Sequence, residues 1–536
     1  MGTGTTQTLK LGNAFLIFTE RDFFLVPGRE YKRMQQNEEE YVCLERKYLP
    51  VVANRDTERV ICIVCHEEAA PEDLVSPLCR QMHFVLCRVC VEYLEKGTNK
   101  REVFCPFCKD KKRDRIYQKE IRAVLFSLMS RKTFLYLNMK PDMEVETVTR
   151  LTRETKVVLS NIAISDVLFF RLLSKTAVEI KNRIYLVCHE NSLGRCIGEL
   201  GWRTKERINI CFNGYTSQEM KQVYENIKTI PRKSIQIGAK EVRAKGDGIC
   251  VLLKLLDCVD GYIPDLSLES SKNKHIEEIN ETEINMGWIG KIGRLVLTGR
   301  AVEALSRLKL HQESMMKVFV LDAYTLGHIT EILKTENNSI WVGKVKKLLL
   351  KKHAIQILPK LKFHEENEME EFVLELGDPY DITEILKAEN NSIWVGRVNR
   401  LELEDYTVEI LPKLRIHGEN VVEEFNLDLY CQKQITELLK MEKNGIWVGK
   451  VKRLGLIGHA VNILPKLRIH EENVMELLEL WTRHPEHITE ILKTENNSIW
   501  VGKVNRLSFR NCAVEILPKL RIHEESEIER EIKDFT

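Results

Sequence analysis

The sequence has little of what marks a membrane, secreted or common hydrolytic protein. No apolar run approaches the ~20 residues that a membrane helix needs. The first such run, Ala14 to Phe18, has no basic head before it and stops at Thr19-Glu20-Arg21-Asp22, so a signal peptide is not expected either. Charge of one sign is lacking as well: 81 basic and 79 acidic residues leave a formal +2, which gives no global field to gather nucleic acid or an anionic membrane. Catalytic signatures are missing too. Gly246-Asp247-Gly248 is not a phosphate loop, and there is no His-Glu-x-x-His or Gly-x-Ser-x-Gly. Partners are therefore expected to be recognised by local surfaces.

What is present is an ordinary folded composition, 43% hydrophobic and 30% charged, well away from that of disordered chains. A chain of 536 residues exceeds one compact core, so several domains or an elongated repeat array are expected. Four segments are read: 1–55, to which no role is assigned; 56–115, a zinc finger; 116–150, a helical linker; and 151–536, a strand-helix repeat solenoid, clearest in 282–524. Of fifteen cysteines, eight lie before residue 109 and seven are scattered after residue 187. That distribution points to a reducing compartment, the cytoplasm or nucleus, rather than to a disulfide framework. Gly2 with Thr6 fits the permissive myristoylation pattern, and the sequons at Asn337, Asn390 and Asn496 read as accidents of repetition. The basic run Lys109 to Arg115 is interrupted by Asp110 and Asp114 and reads as a solvated linker.

The strongest regularity lies in the C-terminal half, where Trp288, Trp341, Trp394, Trp447 and Trp500 recur every 53 residues. Each unit is double. Its two apolar-x-apolar runs step by 24 and 29 residues in alternation, through Phe319/Leu321, Leu348/Leu350, Phe372/Leu374, Leu401/Leu403 and Phe425/Leu427 to Leu507/Phe509. The same beat is traced backwards through Leu295/Leu297, Leu266/Leu268, Ile235/Ile237, Ile208/Ile210 and Tyr185/Val187 to Val157/Leu159, about fourteen strand-plus-helix units in all. A mean period near 27, with one strand and one amphipathic helix per unit, resembles the leucine-rich repeat family, which stacks such units into a curved α/β solenoid. That family's usual Asn or Cys after the strand is replaced here by mixed residues. The tryptophans are expected as core rivets at helix-to-strand junctions, and Pro359, Pro412, Pro465 and Pro518 as helix starts or breaks.

A second pattern occupies the 47 residues from Cys62 to Cys108: Cys62-x2-Cys65, thirteen residues, Cys79, three, His83, three, Cys87-x2-Cys90, fourteen, then Cys105-x2-Cys108. Eight soft donors in four pairs imply two tetrahedral zinc ions. So short a segment cannot bury enough apolar surface to fold unaided, and metal would supply the deficit. The order, with histidine fourth, resembles the RING finger; a PHD-type finger would place it fifth. The resemblance implies a small ββα module in which Cys62, Cys65, Cys87 and Cys90 hold one zinc while Cys79, His83, Cys105 and Cys108 hold the other.

It also implies a ubiquitin-protein ligase, which docks a conjugating enzyme charged with ubiquitin and works by orientation, without a covalent intermediate. The family's apolar docking positions fall on Val64, Leu94 and Pro106, and its basic position after the last ligand on Lys109, where arginine is commoner. Differences between the repeat copies concentrate around the strands: Leu349, Lys351 and Lys352 become Glu402, Glu404 and Asp405, then Gly455, Ile457 and Gly458, then Ser508, Arg510 and Asn511. Glu336-Asn337-Asn338-Ser339, by contrast, recurs unchanged at Glu389 to Ser392 and Glu495 to Ser498. Alternation places the variable side chains opposite the core leucines, so a protein substrate is expected on one concave face at Leu349, Lys351, Glu402, Glu404, Asp405, Ile457, Ser508 and Arg510. The alternative function is a non-catalytic zinc-finger and repeat adaptor or sensor.

Overall fold

The computed structural model describes residues 7–18, 23–29, 31, 44–45, 60–76, 83–97, 105–107, 134–189, 196–259, 261–271, 288–289, 291–310, 315–376, 382–524, 526 and 529–533. Contacts divide the chain into two compact units, one of residues 1–204 and 214–238, the other of 205–213 and 239–536.

In the first unit, three short strands, Gln7–Leu11, Ala14–Phe18 and Phe23–Pro27, form an antiparallel sheet closed by Thr149–Leu151. Tyr136–Asn138, Lys156–Leu159 and Ala177–Ile180 pair in parallel, as do Ile162–Ser165, Ile184–Val187 and Ile235–Ile237, with Ile197–Glu199 added antiparallel to the first of these three. Residues 116–133 of the expected helical linker lie outside the described residues, and 134–150 hold strands and turns, not a helix. The finger region contributes strands Leu74–Ser76 and Leu86–Cys87, paired antiparallel, followed by helix α1 (Arg88–Gly97). Its apolar core is small: Val75, Leu86 and Val91 are buried, with Ile63, Val64, Val85 and Leu94 packed against them.

The second unit is dominated by one parallel sheet whose strands follow one another in chain order. They are β1 (Arg207–Ile210), β2 (Glu241–Lys245), β3 (Ile263–Ser270), β4 (Ile292–Gly299), β5 (Met315–Ala323), β6 (Ile340–Lys352), β7 (Glu368–Glu375), β8 (Ile393–Glu404), β9 (Val421–Leu429), β10 (Ile446–Gly458), β11 (Leu477–Thr482), β12 (Arg506–Asn511) and β13 (Glu529–Lys533). One face of this sheet is the core. From Leu266/Leu268 to Leu507/Phe509, the apolar-x-apolar pairs are in register and none is more than 1% exposed. Each such side chain gains about 2 kcal/mol from burial, so the hydrophobic ladder carries the array. The array is a solenoid-like repeat whose first two connections hold the expected helices, Ser217–Thr229 and Asp247–Leu255, but from β4 on the connections are not amphipathic helices. They are 3-10 segments such as His353–Lys360 and single α-turns such as Thr383–Leu386. Steps of 24 and 29 residues leave too few residues beside such long strands, and an interior proline such as Pro359 removes a donor an α-helix would need.

Register also corrects the backward tracing. Ile235–Ile237 is not a rung of the long sheet; it pairs with Ile184–Val187, and the neighbour of β1 is β2. The long sheet therefore begins at Arg207, not near residue 150. Two adjacent apolar-x-apolar runs, Ile235/Ile237 and Val242/Ala244, competed for one place in the period, and pairing chose the second.

Each long strand bends at a glycine. At Gly396 φ is +86° and a Cβ would meet the Asn367 carbonyl oxygen at 2.4 Å, so no other residue fits. Before the bulge β8 pairs with Leu414–Ile416, and after it with β7 and β9. Buried Asn367, Asn420 and Asn473 hold the turn: Asn420 Oδ1 accepts from Val398 N–H at 2.9 Å and its Nδ2 donates to Val398 O at 3.0 Å. They do what the family asparagine was expected to do, from a place the sequence reading passed over. A second buried row, Glu303, Gln356, Glu409 and Asn462, accepts a backbone N–H from the next α-turn, as in Glu384 N–H to Gln356 Oε1 at 3.0 Å.

The tryptophans are not core rivets. Trp341, Trp394, Trp447 and Trp500 are only half-buried, each edge-on to a histidine, with Arg415, Arg468 and Arg521 over the last three rings at 5.0, 5.3 and 4.9 Å. The unchanged Glu-Asn-Asn-Ser stretch has a local cause: Asn338 sits at φ +55°, its N–H donates to Pro359 O, and Ser339 Oγ donates to Glu336 O at 2.6 Å.

Candidate functional site

The finger brings four thiols together. A tight turn after Val60–Ile61, closed by His66 at φ +60° and by His66 N–H to Cys62 O at 2.9 Å, presents Cys62 and Cys65. Cys87 ends a strand and Cys90 lies in the first turn of α1. The Sγ atoms of Cys62, Cys65, Cys87 and Cys90 all lie within 4.8 Å of one another, with Cys65 and Cys87 at 3.7 Å, an arrangement able to hold a metal ion. These are the four that the resemblance groups on one ion.

Electrostatics divide the thiols. Burial opposes ionisation of Cys62, but backbone N–H groups of Cys65, Cys87 and Val64 outweigh it and bring its pKa to about 6; the Cys87 N–H lies 3.2 Å from the sulfur. Burial, then the neighbouring sulfurs, push Cys90 up. Four thiolates cannot coexist so closely without a cation between them, so metal loading releases protons.

Of the other four expected ligands, His83 and Cys105 are adjacent, Nδ1 to Sγ 3.7 Å, while Cys79 and Cys108 lie outside the described residues. Val64 and Leu94 are half-buried on the finger core, Pro106 is half-buried beside Cys105, and Lys109 lies outside the described residues.

The variable side chains between the leucines stand, as alternation requires, on the opposite face of the long sheet, whereas Asp405 shares the parity of Leu401 and Leu403 and lies past the end of β8. Leu349, Lys351, Glu402, Asp405, Ile457 and Arg510 are half-exposed and Glu404 is exposed, but Ser508 is 4% exposed. Ser508 lies in register with Glu479 and is not presented. Part of the variation at Lys352, Asp405, Gly458 and Asn511 has a backbone cause, since all four sit at φ between +51° and +63°. The expected list held Leu349 but missed the apolar row it belongs to: Val296, Val320 and Val373 lie beside it on β4, β5 and β7. Its signal was present in the alternation itself, Val296 between Leu295 and Leu297 and Val320 between Phe319 and Leu321, where solvated polar residues would be the rule.

No helix among the described residues is long and apolar enough to cross a membrane. No family model, curated protein or solved structure matches the chain.

Proposed function

We propose that the chain is a RING-type ubiquitin-protein ligase: a finger held by two zinc ions docks a conjugating enzyme, and the repeat array selects the protein substrate on the outward face of its sheet. The observation that carries this reading is the convergence of two sequence-distant cysteine pairs, Cys62/Cys65 and Cys87/Cys90, beside a separate His83–Cys105 pair. A tetrahedral ion with metal–sulfur bonds of about 2.3 Å sets its sulfurs about 3.8 Å apart, and the Cys65–Cys87 separation is 3.7 Å. The all-sulfur donor set suits zinc. Cys79, His83, Cys105 and Cys108 would hold the second ion. Zinc supplies structure here, not Lewis acidity.

The chain's own residues do the rest by orientation. Val64, Leu94 and Pro106 offer apolar side chains to the conjugating enzyme, and Lys109 offers a donor to enzyme and ubiquitin together. Purified protein is incubated with activating enzyme, a panel of conjugating enzymes and ubiquitin. Chain formation is expected, with loss in Leu94→Ala combined with Lys109→Ala while zinc content is unchanged. No ubiquitin transfer with any conjugating enzyme would leave the finger as a docking adaptor without ligase activity.

A further inference from the structure

The outward sheet face has more than one chemistry, and its rows differ in whether they are internally balanced. The row nearest the strand starts alternates in sign, Lys347, Glu371, Arg400, Glu424 and Arg453, and its first four members pair across rungs at 3.0 and 3.7 Å. The middle row is aliphatic through Val373 and then turns acidic at Glu402. The third row is acidic over consecutive strands, with Glu375 on β7, Glu404 on β8 and Asp428 on β9. Lys351 meets Glu375 and Arg400 meets Glu402, but no cation among the described residues pairs with Glu404. Asp428 accepts from Tyr430 OH at 3.0 Å through Oδ2, and its Oδ1 is buried without a partner. Burial, then Glu375, Asp405 and Glu402, push the Glu404 carboxyl up against a smaller downward pull from Lys351.

An aliphatic stripe about 14 Å long, at about 4.8 Å per strand, that runs into an unbalanced acidic end is complementary to one kind of polypeptide. Resting on the proposed role of this face, we propose that the partner segment is basic and aliphatic. Its lysine or arginine side chains meet Glu404 and Asp428, and its aliphatic side chains lie along Val320, Leu349 and Val373. Charge would then set orientation and encounter rate, and the stripe the residence time.

The test uses the full chain and three short fluorescent peptides: one alternating lysine with valine or leucine, one with glutamate in place of lysine, and one with serine in place of the aliphatic residues. By anisotropy, the basic-aliphatic peptide is expected to bind at least about tenfold more tightly than either other peptide, and more weakly as salt rises. Glu404→Gln with Asp428→Asn is expected to cost about tenfold and flatten the salt dependence, and Val320→Thr with Val373→Thr to weaken binding without changing that dependence; an unshifted thermal transition certifies the fold of each variant. If the acidic peptide binds as well as the basic one, or the acid variant changes nothing while the valine variant still weakens binding, the charge assignment is overturned and the partner face stands. If no peptide binds, or neither variant matters, both are overturned.

Discussion

The finger and the repeat array solve the same problem by opposite means. The cysteine-rich segment has three buried apolar side chains in its core cluster and four thiols placed where they could hold a metal ion. The array repeats Phe/Leu rungs over many strands and needs no ligand to be stable, because each rung covers the next. Stability is therefore concentrated in one region and distributed in the other. Disturbing either should leave its counterpart standing.

The largest effect is expected from Cys62→Ser or from a strong chelator: the finger loses its metal and with it on the order of 10 kcal/mol of apparent binding free energy. Metal content by mass spectrometry should fall and proteolysis should open residues 60–107, with the thermal transition of the array unmoved. Phe372→Ala should do the reverse, costing the array about 3–5 kcal/mol with metal content retained. Next is Asn420→Leu, which strands the Val398 N–H and should cost about 1–3 kcal/mol in denaturant unfolding of the array. Smallest is Glu384→Ala, breaking an exposed ion pair with Lys387; a change above about 0.5 kcal/mol would contradict the view that such pairs contribute little.

Acid should affect both regions by different routes. The His459 and His487 rings lie 4.3 Å apart, tilted by 47°, with both Nδ1 atoms buried and unpartnered. Burial, then His487 for His459 and His484 for His487, lower both pKa values below the ordinary 6.5, against a smaller upward pull from Glu486. The unfolded chain then binds more protons than the folded one, so stability is full above pH ~6.5 and is lost as pH falls through the folded values. His459→Tyr with His487→Gln uses the residues that the preceding copy already carries, Tyr406 and Gln434. It should flatten the slope of melting temperature against pH between those values; an unchanged slope would remove the pair as its cause.

Legibility from the sequence followed the same division. The core ladder was readable because period-2 alternation and a 53-residue recurrence leave one arrangement of Phe319/Leu321 to Leu507/Phe509. The four-thiol grouping was legible only as what the resemblance to the RING finger implies, since spacing alone leaves open which pairs share an ion. Buried polar positions were not: Asn420 and Gln356 look like surface residues until the backbone groups they satisfy are known. The outward valine row was legible from its parity between core leucines, but the later copies, where these places are polar or small, draw attention away from it. Trp394 was misread because its size argues for burial, whereas its strand position sets it beside Arg415.

The bulge glycine and its asparagine occur once per double unit, not once per strand. A duplication of a single 24- or 29-residue step would bring in a strand without its bend or a bend without its strand, whereas a 53-residue insertion restores every junction. The array can thus change length only in whole quanta, each extending its outward face by about 9.6 Å, two strand spacings. Relatives that differ in copy number would keep their ends and lose or gain interior recognition positions in blocks.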